Sequence, residues 1–162
     1  MPEMRVGQGF DIHPFSDDPG RQLVLGGVVF DGQGLAGHSD ADVVAHAVTD
    51  ALLGAAGLGD IGQRYPDTDP VHAGVDSMGL LADSVAAVWA DGWEVANVDC
   101  TVVLEAPRLA SRRTEMQEAL AVVVGAAVTV KGKRAEGLGA IGREEGVACF
   151  AVALLTRPGA PS

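Results

Sequence analysis

The chain has 162 residues, 48% of them hydrophobic but only 4% aromatic, and its 11 Lys and Arg against 22 Asp and Glu give a formal net charge of −11. That length and apolar fraction suit a single domain, residues 1–162, with a core of Val, Ala and Leu. The acidic balance excludes nucleic acid and an anionic membrane surface as partners, because both reward clustered Lys and Arg.

No apolar run approaches the roughly 20 residues that span a bilayer. The N-terminus lacks the basic and apolar regions of a signal peptide, so the expectation is a soluble cytoplasmic protein. Cys100 and Cys149 each lie inside an apolar, strand-like run. They read as buried free thiols rather than as a disulfide framework or a Cys-rich metal site.

Taken in order, residues 4–13 pattern as a first strand, in which Asp11 and His13 point the same way because side chains two apart share a face. Residues 22–31 read as a hairpin, Leu23-Val24-Leu25 and Val28-Val29-Phe30 about Gly26-Gly27. The stretch Gly37-His38-Ser39-Asp40-Ala41-Asp42 then feeds an amphipathic helix. Ser39 is its expected cap, with Asp42 completing a capping-box-like pattern, so the helix should begin near Asp40 and end before Gly57 or Gly59. On it Asp42, His46 and Asp50 are spaced to line one face.

His46 together with Asp11 and His13 supplies one carboxylate and two imidazoles. That is the ligand set of a catalytic zinc whose fourth position stays open, provided the fold brings the pieces together. The polar loop 59–70 beside this helix carries several carboxylates and reads either as turns or as a ligand-binding loop, with His72 exposed beyond it.

Residues 76–91 pattern as a second helix stopped by Gly92, and 95–105 as a strand in which Val98, Cys100, Val102 and Leu104 alternate with more polar residues. After the loop 106–110, Ser111 is the expected cap of a third helix running through Met116, Leu120 and Val123 to Gly125. A short strand, 128–131, and a nearly continuous apolar strand, 146–155, complete the chain. The prediction is an α+β fold of two layers, one sheet with helices packed on one face. A strand apolar on both faces needs cover on both, which predicts self-association with the sheets facing a symmetry axis.

Between the last two strands, five glycines alternate with Lys133, Arg134 and Arg143, preceded by Lys131. The segment reads either as a phosphate cradle of backbone N–H groups and fixed cations or as a solvated loop. There is no convincing Ser-His-Asp or Cys-His arrangement for nucleophilic catalysis.

These motifs, in this order, resemble the 2-C-methyl-D-erythritol 2,4-cyclodiphosphate synthases over essentially the whole chain. The match rests on Gly7-Gln8-Gly9-Phe10-Asp11-Ile12-His13, Gly37-His38-Ser39-Asp40-Ala41-Asp42 with His46, Leu58-Gly59-Asp60-Ile61-Gly62, Tyr65-Pro66-Asp67-Thr68-Asp69-Pro70, Ala106-Pro107-Arg108 and Gly142-Arg143-Glu144-Glu145-Gly146. The resemblance implies a homotrimer with its sheets facing the three-fold axis and active sites between subunits. It implies cyclisation of a cytidine diphosphate substrate, 4-diphosphocytidyl-2-C-methyl-D-erythritol 2-phosphate, with loss of CMP, in non-mevalonate isoprenoid synthesis.

Carried over by position, Asp11, His13 and His46 match zinc ligands, and Glu136 matches the carboxylate that holds Mg2+ or Mn2+ on the diphosphate. His38 matches a transition-state stabiliser and, with Ser39, a phosphate contact. Asp60, Ile61 and Gly62 match a ribose- and substrate-binding segment, and Tyr65, Pro66, Asp67, Thr68 and Asp69 the methylerythritol pocket. Leu104, Ala106, Pro107, Arg108, Leu109 and Ala110 match the cytidine loop given by the adjacent subunit. Arg143 matches a phosphate-binding arginine near the axis.

The chain departs from the family at Gly132-Lys133-Arg134-Ala135, where a run of threonines is usual. Arg134 stands at the catalytic threonine's position and Lys133 at a cytidine-contacting one; Gln8 and Ala140 are smaller departures. Two functions fit: a working cyclodiphosphate synthase, or a metal-binding trimer that binds a cytidine nucleotide or diphosphate with little or no turnover, or acts as a phosphodiesterase of shifted substrate.

Overall fold

The computed structural model describes residues 1–66, 68 and 74–158. Its largest element is a four-stranded mixed sheet, formed by the segments whose apolar residues alternate. In spatial order it holds β1 (Glu3–Pro14), β6 (Gly146–Arg157), β4 (Glu94–Val103) and β5 (Ala127–Lys133). β6 is antiparallel to both neighbours, while β4 and β5 run parallel, joined by a helix as a parallel pair requires. A separate hairpin pairs β2 (Leu23–Leu25) with β3 (Val28–Phe30) through a turn at Gly26 and Gly27, whose φ values of +59° and +74° suit glycine.

Three helices cover one face: α1 (Val43–Ala56), α3 (Ser77–Ala90) and α4 (Arg113–Val124). Inward-facing Val98, Cys100, Val102, Val130, Cys149, Ala151 and Leu155 meet Leu52, Leu81, Met116 and Leu120 from the helices, all buried. Full burial of one such aliphatic side chain is worth about 1.5–3 kcal/mol. Seating α1 on β1 requires glycine: a Cβ at Gly7 would lie 2.0 Å from the Ala51 carbonyl oxygen, and one at Gly9 1.9 Å from that of Ala47. This close approach lowers His46 onto the strand that carries Asp11 and His13.

Among the described residues, no helix covers the other face of the sheet. Met4, Val6, Phe10, Ile12, Phe150 and Val152 are exposed there, with the Phe10 and Phe150 rings 4.8 Å apart. The β4 and β5 half of the same face is polar, with Lys131 paired to Asp99 at 2.6 Å. No helix among the described residues is long and apolar enough to cross a membrane.

Four sequence expectations need correction. Helix α1 begins at Val43, capped by Asp42 rather than Ser39, because Ala41 has φ +58° and interrupts the helical path; Ser39 Oγ instead accepts from the Ala41 N–H. Asp42 is therefore the cap rather than part of a polar face with His46 and Asp50: its buried carboxylate accepts from Val44 and Ala45 and from the turn N–H groups of Gly26 and Gly27. Ser111 lies in a 3₁₀ turn, Leu109–Ser111, and α4 starts at Arg113 without a side-chain cap. Two segments read as loops hold four-residue helices, α2 (Ile61–Arg64) and α5 (Gly139–Gly142), too short to show a periodicity.

Candidate metal centre and active site

At the end of β1, Asp11 and His13 project toward α1 as strand alternation requires, and His46, in the first turn of α1, comes down to meet them. Asp11 Oδ2 lies 2.9 Å from His13 Nε2 and 3.0 Å from His46 Nδ1, and the two imidazole nitrogens are 3.3 Å apart. One donor atom from each of the three lies within 4.8 Å of the others. The remaining nitrogen of His13 is occupied: Nδ1 lies 2.7 Å from the Ala36 carbonyl oxygen, to which it donates, leaving Nε2 turned toward Asp11.

The electrostatics fit a cation. Burial pushes the Asp11 carboxyl up, but hydrogen bonds and charge from His13 and His46 outweigh it and hold the group at about 2. Burial pushes His13 down, while its bond to Asp11 more than offsets that and leaves it raised. A carboxylate and two imidazoles converging at partial burial match the chemistry of a catalytic zinc site with an open position.

The cluster lies in the wall of an open cavity of about 460 Å³, lined also by His38, Ser39, Ile61, Gly62, Tyr65, Pro66 and Leu80. His38 and Ser39, and Tyr65 and Pro66 of the expected segment 65–69, therefore line the same cavity as Asp11, His13 and His46. Asp50 contributes indirectly, accepting at 2.8 Å from the Ile61 N–H and so fixing the start of α2. Asp60 caps α2 through the Gln63 N–H and does not line the cavity. Tyr65 is anchored by its hydroxyl to the Leu80 carbonyl and Ser84 Oγ. Thr68 is exposed; Asp67, Asp69 and His72 lie outside the described residues.

The expected cytidine residues gather elsewhere, at the β5 edge of the sheet. A cleft of about 160 Å³ is lined by Leu104, Pro107, Arg108, Leu109 and Ala110 with Arg113, Lys133 and Arg134, while Ala106 precedes Pro107 through a cis peptide bond. Arg134 donates to Glu105 from Nε at 3.2 Å, with its terminal nitrogen 3.1 Å from the same oxygen, and Glu105 also accepts from the Gly137 N–H. Glu136 is exposed, at φ +54°, and is not part of the Asp11, His13 and His46 cluster. Arg143 is exposed and paired to Glu145 at 2.6 Å. Sequence reasoning missed Ser77 and Asp40, which stand behind His46, and the Glu105 partner of Arg134; none of these forms a local motif.

The chain is thus an α+β domain whose glycine-seated helix and edge strand bring one carboxylate and two imidazoles together, a candidate metal centre, in the wall of an open cavity. The YgbB family profile matches residues 4–156, and the chain belongs to that family. The 2-C-methyl-D-erythritol 2,4-cyclodiphosphate synthase of Azoarcus sp. (strain BH72) is 55% identical over 157 residues, covering 94% of this chain and 96% of the relative. The bifunctional enzyme IspD/IspF of Anaeromyxobacter dehalogenans (strain 2CP-C) is 54% identical over 155 residues and 94% of this chain, which spans 40% of that relative's length. The solved CDP complex of Plasmodium falciparum IspF is similar over 96% of this chain and 97% of its own, with 31% identity and a TM-score of 0.83.

Proposed function

We propose that the chain is a cytoplasmic, zinc-dependent cyclase. It converts 4-diphosphocytidyl-2-C-methyl-D-erythritol 2-phosphate to 2-C-methyl-D-erythritol 2,4-cyclodiphosphate with release of CMP, in non-mevalonate isoprenoid synthesis. The observation that carries this reading is the convergence of Asp11, His13 and His46 under His38 and Ser39, in a chain 55% identical to a synthase of that name.

The reaction needs no nucleophile from the protein. An oxygen of the substrate's 2-phosphate attacks its own β-phosphorus, the bond from that phosphorus to the bridging oxygen breaks, and CMP departs with the electron pair. Positioning and neutralisation of charge are what remain for the protein to supply. Zinc held by Asp11, His13 and His46, with Mg2+ or Mn2+ at Glu136, supplies positive charge to the phosphates when bound. His38 and Ser39 contact the phosphates as charge moves onto their oxygens. Ile61, Gly62, Tyr65 and Pro66 shape the sugar pocket, with Asp60, Asp67, Thr68 and Asp69 beside it. Arg134, oriented by Glu105, and Arg143 add fixed charge where the family uses threonines and an arginine, and the segment 104–110 with Lys133 receives cytidine.

The working form in this reading is a homotrimer with each active site between two subunits. The metal cluster stands on β1, one edge of the sheet, and the cytidine cleft beside β5, the opposite edge. Two strands intervene, so the edges lie roughly 14 Å apart at about 4.8 Å per strand. A neighbour that brings its β5 edge to this chain's β1 edge would place both halves around one substrate, and the bare apolar half of the sheet supports that packing.

Phosphorus NMR of the purified protein with zinc, magnesium and the authentic substrate tests the reading. Cyclic diphosphate and CMP should appear in equal amounts, and His46→Ala should lower the rate at least about a hundredfold. An unchanged spectrum from metal-loaded protein would overturn it.

A further inference from the structure

Behind the cavity wall, on the side of His46 away from Asp11, lie two residues that the proposed reaction does not touch. We propose that Ser77 and Asp40 are positioning residues that fix the tautomer and orientation of His46; this rests on reading Asp11, His13 and His46 as a metal centre.

The argument is one of donors and acceptors. His46 Nε2 lies 2.9 Å from Ser77 Oγ, while its Nδ1 faces Asp11. The Ser77 hydroxyl donates to Asp40 Oδ1, so its single hydrogen is committed and its oxygen can only accept from His46. When His46 ligates a metal its proton is thereby held on Nε2, and Nδ1, otherwise hydrogen-bonded to Asp11, offers the ion its lone pair.

Asp40 is held in turn, accepting from the Asp42 N–H at 3.1 Å and the Ser77 N–H at 3.2 Å. Ser77, the first residue of α3, is fully buried, so water does not compete for its hydroxyl. Ser39 Oγ adds contacts of 3.2 Å to His46 Nε2 and to Ser77 Oγ. The Ala36 carbonyl does for His13 what Ser77 does for His46, but a backbone carbonyl cannot be mutated. The Ser77 relay can.

The test uses metal-free parent, Ser77→Ala, Ser77→Thr, Asp40→Asn and His46→Ala, each titrated with Zn2+ and Co2+ against a chromophoric chelator. The parent should take up one ion per chain at the centre and His46→Ala should lose it; a parent that binds none overturns the centre, and the relay with it. With the centre established, Ser77→Ala should bind roughly 10–100-fold more weakly and shift the visible Co2+ bands. Ser77→Thr, which keeps the hydroxyl, should recover most of the affinity, and Asp40→Asn should fall between. A role confined to packing would lower the melting temperature of the apo variants while leaving affinity and bands unmoved, and that result overturns the relay. Should Ser77→Ala not fold, Asp40→Asn carries the same two readouts, and parental values there overturn it equally.

Discussion

Asp11 and His13 illustrate how a metal site stores charge in advance of its ion. Asp11 has its folded pKa depressed to about 2, and His13 has its own raised above 6.5. A raised histidine stabilises the fold fully below its unfolded value and loses that contribution as pH rises through the folded value. The metal-free protein should therefore become less stable to urea as pH climbs from 6.5. His13→Gln should flatten that slope, and equal slopes in the two proteins would contradict the assignment. Asp11 works in the opposite sense, its contribution present above 3.8 and lost as pH falls toward 2. The convergence of Asp11, His13 and His46 was legible in the sequence because a period of two fixes the face of Asp11 and His13, and a helix that follows can present His46. Ser77 and Asp40 were not, since a serine and an aspartate 37 residues apart meet only through tertiary packing.

Among the elements, the Asp42 cap is the clearest junction. One carboxylate accepts four N–H groups, two from the first turn of α1 and two from the β2–β3 turn, at 2.7–3.2 Å. Burial pushes this carboxyl's pKa up while those donors favour its charge. Losing a cap costs about 0.5–2 kcal/mol and each orphaned buried donor about 1–3. Asp42→Ala should thus cost roughly 2–5 kcal/mol in urea unfolding, with Asp42→Asn retaining much of the difference. A loss below ~0.5 kcal/mol would show that water replaces the carboxylate. The local pattern puts the cap three residues too early because Ser39 satisfies it, whereas the hairpin donors that reward Asp42 lie 15 and 16 residues upstream. The long elements, whose periodicity extends over ten residues or more, were legible; α2 and α5, of four residues each, were not.

For the molecule as a whole, the bare face of the sheet is the dominant surface feature. Phe150 and Val152 on β6 and Phe10 on β1 each remain more than 40% exposed, which is costly unless another surface covers them. Such a face was legible in the apolar run of residues 146–155, which lacks the alternation of a strand with one side in water. If the proposed trimer forms through this face, Phe150→Glu should leave the circular dichroism of the fold intact but move the sedimentation coefficient from trimer to monomer. A trimer that persists with a glutamate there would place the contact elsewhere.

The separation of the Asp11, His13 and His46 cluster from the cleft proposed to receive cytidine, across the sheet, has a genetic corollary. If one chain lends its ligands to one site and its cytidine loop to the next, two dead proteins can revive each other. Mixing equal amounts of His46→Ala and a variant crippled in the cytidine cleft, then dissociating and reassembling them, should leave about one site in four with both halves intact. The mixture would recover activity that neither parent has, whereas a site contained within one chain would recover none.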